Sequence, residues 1–307
     1  MDQPAPFFLD ALSRYLELGI GEVEGWLSPV SAAMIAHLLV EQSRTGLRGD
    51  LCEIGVHHGK LFLILANAAI GDERAVAVDV FSDQHKNVDR SGGGDRAVFE
   101  RHLAERAPGA RVEIVQASSL DLERLGFLDH RFRFVSIDGG HTAATTENDL
   151  RIAQATLLPG GIAVLDDILS HAWTGVVTGL VNHLSGGGRL VPFALIPNKA
   201  CLATGVEDAR RHRAALRRAF PLALAKENLE FLGAAVDSYW EHPYYSREHC
   251  AGLARERDAL RGEAEALRQQ VAGLSAEVAA LRGSASWRVT APLRLVGRLR
   301  GRLPRAR

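Results

Sequence analysis

From residue 50 the chain alternates short apolar runs with amphipathic stretches. Strand-like runs fall at 51–54, 75–80, 112–116, 132–137 and 161–165. Helical windows at about 59–70, 95–106, 119–127, 143–157 and 174–185 separate or follow them. Short apolar strands interleaved with helices predict a parallel sheet buried on both faces. Two later runs, 191–196 and 200–204, flank Pro197-Asn198-Lys199. That flank reads as a tight hairpin, so an antiparallel pair is expected to close one edge. The expected class is α/β: a Rossmann-like, doubly wound, mainly parallel seven-stranded sheet with helices on both faces.

The flanking regions follow other periods. Residues 7–18 and 29–43 read as amphipathic helices, the second opened by Ser28-Pro29. Trp26, Met34, Ile35, Leu38 and Leu39 would pack against the sheet or a partner subunit, the alternative being a cover over substrate. The stretch 206–245 starts with a basic helix at 210–218 and reads as a peripheral cap. Beyond it Leu253, Leu260, Leu267, Leu274 and Leu281 recur every seven residues, and the positions four after the first four of them are Arg257, Ala264, Val271 and Val278. Leu at d with Val at a predicts a two-stranded parallel coiled coil, hence a homodimer; a single helix against the globular domain is the alternative. The expected organisation is an N-terminal helical cap (1–47), a Rossmann-like domain (48–245), a coiled coil (246–282) and a basic Trp/Arg/Leu tail (283–307).

Composition narrows the context. Three cysteines, widely spaced and odd in number, argue against a disulfide framework or a cysteine zinc site and suit a reducing cytoplasm. No run of about 18 apolar residues predicts a membrane span, and the first residues lack the plan of a signal peptide. The net charge of −1 conceals an asymmetry: residues 283–307 hold seven arginines and no acid, leaving 29 basic against 37 acidic residues, or −8, before them. Trp287 and leucines interleaved with these arginines point to peripheral contact with the inner face of a membrane rather than to nucleic acid, a plain solubilising tail being the alternative.

The chemistry concentrates at the carboxyl ends of the strands, where a doubly wound sheet binds its ligands. The first run leads into Glu53-Ile-Gly55-Val-His-His-Gly59, the second ends at Asp79, the fourth at Asp138 and the fifth at Asp166-Asp167. Buried carboxylates are costly unless paired or ligated, so four acidic ends on one crevice are hard to read as packing. The first loop lacks the glycine spacing of a dinucleotide site, and Glu53 would repel a pyrophosphate. Glycines at 55 and 59 allow a sharp turn. Asp79 is placed to accept hydrogen bonds from ribose hydroxyls, and Ser118 to meet an adenine edge. Helix capping is the competing role for Asp138 and Asp167.

Together these features resemble the class I S-adenosylmethionine-dependent methyltransferases over about residues 48–205. The resemblance implies cofactor contacts at Glu53, Gly55, Gly59, Asp79 and Ser118. Ile137-Asp138-Gly-Gly-His141 and Leu165-Asp166-Asp167, with Asp138 and Asp166 28 residues apart, resemble a narrower group, the metal-dependent O-methyltransferases of macrolide deoxysugars. That resemblance implies Mg²⁺, or another hard divalent cation, on Asp138, Asp166 and Asp167. It also implies a general base at His141, with Asp138 as the other candidate for that role. The glycine-rich loop 81–95 resembles the lid of the same group. The coiled coil and the tail Ser284-Ala-Ser286-Trp287-Arg288 resemble endings of bacterial surface-polysaccharide enzymes, which implies a sugar or glycan acceptor. A catechol O-methyltransferase and a non-catalytic adaptor in glycan assembly are the competing readings.

Overall fold

A computed structural model of the chain describes residues 6–242 and 247–289. Five parallel strands come first: β1 (Asp50–Ile54), β2 (Ala75–Asp79), β3 (Val112–Gln116), β4 (Phe132–Ile137) and β5 (Leu157–Leu165). An antiparallel hairpin, β6 (Val191–Ile196) and β7 (Lys199–Ala203), adds through β7 to β5. The turn is Pro197-Asn198, and Asn198 takes a φ of +60°, a conformation asparagine tolerates better than most residues.

The sheet has nine strands, not the expected seven, in the order β3-β2-β1-β4-β5-β7-β6-β9-β8. The extra pair, β8 (Leu224–Phe231) and β9 (Ala234–Tyr239), comes from the region expected to be only a cap. β9 pairs in parallel with β6, and the open edge strand β8 is mostly exposed. Edge exposure left β8 without a continuous apolar run, which hid it in the sequence.

Helices cover the sheet: α1 (Pro6–Arg14), α2 (Pro29–Arg44), α3 (Phe62–Ala68), α4 (Arg96–Arg106), α5 (Ala143–Thr156), α6 (Thr174–Ser185) and α7 (Val206–Ala219). Two apolar clusters fill the space. One joins α2, α3 and Phe81 to β1; the other joins Leu150 and Ile152 of α5 and Leu180 of α6 to β4 and β5. The window 119–127 is not a helix. Short 3-10 turns at Ser119–Asp121 and Phe127–Asp129 replace it, with Gly126 left-handed between them.

Met34, Ile35, Leu38 and Leu39 are buried in the core as expected, but Trp26 is 80% exposed. It belongs to a loop rather than to α2, so no helical face carries it inward. The second compact unit, residues 252–307, is described by α8 (Arg247–Gly283), which begins within the first unit, and by α9 (Ala285–Val289). The basic tail beyond Val289 lies outside the described residues.

Candidate active site

The strand order reverses between β1 and β4, and there the carboxyl ends of the parallel strands open a cavity of about 480 Å³. Gly55 follows β1 with a φ of +86°; a Cβ there would fall 1.8 Å from the carbonyl oxygen of Asp138. Only glycine lets the two loops pass so closely. Gly55, Asp79, Ser118, Asp138, His141, Asp166 and Asp167 all line the cavity.

Two predicted cofactor residues do not. Gly59 makes room instead for Phe99, whose ring would stand 2.8 Å from an added Cβ. Glu53 is buried within β1, and burial, reinforced by Asp138, pushes its carboxyl well above the usual range; Oε2 has no partner. An orphaned buried acceptor beside a ligand crevice calls for a donor. Asp79 is heavily used within the protein: Oδ2 accepts the N–H groups of Val56 and His57 at 2.7 and 2.8 Å, and Oδ1 accepts that of Phe81 at 2.6 Å. A carboxylate offers about four acceptor positions, so one remains. Asp79 thus shapes the first loop as well as facing the cavity.

At the other end of the cavity stand the acids of β4 and β5. Asp138, His141 and Asp167 bring one ligand atom each to within 4.8 Å of one another. Neither acid caps a helix: Thr142 caps α5 through the N–H of Thr145, and α6 has no side-chain cap. Asp167 sits in the left-handed region with a φ of +57°, a conformation that costs an ordinary residue energy and persists where its surroundings impose it. Its Oδ1 accepts from the Asn198 amide at 2.7 Å, and its Oδ2 lies 3.0 Å from His141 Nε2. Burial opposes ionisation of Asp167, but the bonds from His141 and Asn198 hold its pKa below the usual carboxylate value. Burial raises that of Asp138, and Asp167 adds to the effect.

Asp166 differs from the expectation. Its side chain is buried and paired with the buried ammonium of Lys199, and its Oδ1 accepts the N–H of Asp167 at 2.8 Å. It is therefore not one of the three clustered groups. The register explains this: Leu165 faces Ala200 across the β5–β7 pair, so Asp166 and Lys199 stand at the next step.

Three contributors escaped the sequence reading. Asp89, from the loop after β2, accepts the backbone N–H of His141 at 2.5 Å and holds its Nδ1 at 2.9 Å. Trp173 stacks on the imidazole with centroids 4.3 Å apart. Lys199 is the third. A lysine heading an otherwise apolar strand, Lys-Ala-Cys-Leu-Ala, was a readable signal; the other two are contacts across loops, which carry no periodicity. His141 is thus held at its face and at Nδ1 while Nε2 points to Asp138 and Asp167. Burial opposes its protonation, yet the bonds to Asp167 and Asp89 raise its pKa. The loop 81–95 contributes Gln84, Lys86, Asn87, Val88 and Ser91 to the cavity, as a cover should. Trp26 lines the mouth beside His57.

Residues 52–168 match the family model described as a methyltransferase domain. That segment spans β1 to β5 and every residue of the clustered group. The match places a methyltransferase domain on the Rossmann-like sheet and crevice described above. Among solved structures the chain is similar to the O-methyltransferase NovP, with 12% identity, a TM-score of 0.48, and coverage of 65% of this chain and 98% of that one. It is also similar to the O-methyltransferase TomG from Streptomyces achromogenes, with 21% identity, a TM-score of 0.42, and coverage of 65% and 90%. A third, CalS11, a TDP-rhamnose 3'-O-methyltransferase, gives 16% identity, a TM-score of 0.41, and coverage of 67% and 89%. No curated protein matches the sequence.

The donor set decides whether a metal suits the site. Two carboxylates within reach of one point, with an imidazole beside them, fit a hard divalent ion, which takes one or two carboxylates and leaves other positions to water or substrate. The fit is to Asp138 and Asp167, with His141 adjacent.

Proposed function

We propose that the protein methylates a hydroxyl group of a sugar, with a divalent ion, magnesium in the first instance, held by Asp138 and Asp167. The observation that carries this reading is the position of the Asp138, His141 and Asp167 group in the same cavity as Gly55, Asp79 and Ser118. One end suits a nucleoside and the other suits a hydroxyl that must lose a proton.

S-adenosylmethionine supplies an electrophilic methyl group, and the ion would supply Lewis acidity toward the acceptor hydroxyl. The chain's residues do the rest. His141 acts as general base in its neutral form, when Nε2 no longer donates to Asp167, and takes the acceptor's proton there. Asp89 at Nδ1 and the Trp173 ring keep the imidazole aimed at the cavity. Gln84, Asn87 and Ser91 offer polar groups over the ligands, and the loop excludes water from the acceptor oxygen. Trp26 and Trp173, both on the cavity wall, suit the apolar faces of a sugar ring. In-line placement of the two reactants supplies much of the rate.

Two measurements test the reading. Titration calorimetry should detect S-adenosylmethionine binding with or without chelator. Turnover on a panel of nucleotide sugars and glycans, read as a mass gain of one methylene, should stop when chelator is added. Undiminished turnover in chelator would sink the metal role. A gain on catechols but on no sugar would replace the acceptor class.

A further inference from the structure

One stretch of chain runs along the mouth of the cavity from the loop after β1 to the turn between β6 and β7. At its start Glu24 lies 3.2 Å from Nδ1 of His58, and the carbonyl of Gly25 accepts the Lys60 ammonium at 3.0 Å. Gly25 takes a φ of +144°, and a Cβ there would fall 3.2 Å from that of Lys60, so only glycine seats the loop without strain. At its far end Ser31, in the first turn of α2, donates its hydroxyl to the carbonyl of Pro197 at 3.0 Å, one residue before the Asn198 that holds Asp167. Between these anchors stands Trp26, on the cavity wall yet 80% exposed. Two residues on, Ser28 donates to Glu241 at 2.8 Å, which brings the end of β9 to the same rim. The adjacent Trp240 is also exposed, its Nε1 bonded to the carbonyl of Leu222.

We infer that the acceptor is an extended glycan rather than a single sugar, and that Trp26 is the platform for the ring next to the one methylated. This rests on the sugar reading above. The reacting hydroxyl must reach His141, whose face is covered by Trp173. The methylated ring therefore belongs deep in the cavity, where water is excluded. An indole as open to solvent as that of Trp26 is unsuited to that ring. It suits one that leaves the cavity with one face on protein and the other in water. The C–H groups on a pyranose face are apolar and cover an indole, while the hydroxyls at the ring's edge stay hydrated. Scattered exposed apolar side chains are ordinary; this one differs in standing at a ligand cavity on a backbone pinned on both sides. The pinning puts the indole in place before the ligand arrives, so little ordering entropy opposes stacking. Trp240, on the same rim but not on the cavity wall, offers a longer chain a further indole. Trp26 thus reads the length of the acceptor and not the position methylated.

The test compares acceptors of two lengths. Common hexoses and deoxyhexoses are offered to the full chain with S-adenosylmethionine and Mg²⁺, each as its methyl glycoside and as the terminal unit of a tetrasaccharide. For the sugar that is methylated, kcat/KM on the tetrasaccharide should exceed that on the glycoside by about tenfold, the effect of one stacked ring. Trp26→Ala should bring that ratio to about one, and Trp26→Phe should keep part of it. Trp173→Ala should lower both values and leave the ratio as in wild type. General damage to the fold also lowers both together, so the ratio reports the platform alone. A ratio near one in wild type, or a tenfold ratio that survives Trp26→Ala, overturns the inference and leaves the sugar reading standing. Methylation of catechols and of no sugar at either length is the failure of the sugar reading, and this inference falls with it.

Discussion

Asp89 makes the most consequential side-chain contact outside the strand ends. Its Oδ1 accepts from the Ser91 hydroxyl and N–H, and its Oδ2 accepts from His141. Burial opposes ionisation, but these bonds lower its pKa to about 2. It ties the covering loop to the imidazole, so Asp89→Ala should reduce kcat by about 10- to 100-fold, the range for an outer partner of a functional histidine. Asp89→Asn, which keeps an acceptor, should retain more activity. An Ala variant with wild-type kcat would remove Asp89 from the mechanism. Asp149 gives a different test. It is fully buried on α5, and burial raises its carboxyl to about 7, with Ser119 and Asn148 working against the shift. Below the unfolded value near 4 both states hold the proton. Between about 4 and 7 the unfolded chain releases it first, so stability falls as pH rises, by on the order of 4 kcal/mol in total. Asp149→Asn should flatten urea midpoints measured at pH 5 and pH 8; an unchanged slope would show that other groups carry it. The strand-end acids were readable because a carboxylate closing an apolar run has no packing use. Asp89 and Asp149 were not, since each acts through a loop brought near only by the fold.

At the scale of elements, one buried guanidinium joins three of them. Arg133 of β4 is fully buried, bonded to Glu73 at 2.9 and 3.0 Å, to the carbonyl of Leu39 on α2 and to that of Ala68 at the end of α3. Gln42 completes the set with its side-chain oxygen. Glu73→Ala leaves that charge without a partner and should cost about 3–5 kcal/mol in denaturant unfolding. A loss under about 1 kcal/mol would mean that the carbonyls suffice. Most strands were legible because their runs are rich in apolar residues: 112–116, 132–137 and 191–196 are the observed β3, β4 and β6, of which β4 is buried throughout and β3 only half-buried. The period failed where burial is one-sided or absent. β8 alternates too weakly to be seen, and 119–127 has helix-forming residues but breaks at Gly126. Arg133 sits inside a run otherwise apolar except for Ser136, and its partner lies 60 positions away, so the sequence announces the strand but not the ion pair within it.

For the whole molecule the open question is what covers the heptad stripe of α8. Leu267, Val271, Leu274, Val278 and Leu281 are between 44% and 63% exposed, although they lie on one face of a continuous helix. Leu253 and Leu260 fall within the same helix, in a part whose side chains lie outside the described residues. An exposed apolar seam of this length is costly in water and marks an interaction surface. Val at a with Leu at d suits a second copy in parallel register, and each leucine moved from water into such a seam contributes about 1.5–3 kcal/mol. The full chain should therefore run as a dimer in light scattering at micromolar concentration. Leu267→Asp/Leu274→Asp places four carboxylates in the seam of a dimer and should return it to a monomer. Because β1 to β5 and the site residues lie within residues 1–251, S-adenosylmethionine binding should survive in that variant. A wild-type monomer would leave the seam to another partner. A dimer unaffected by the two substitutions would put the dimer contact elsewhere on the chain.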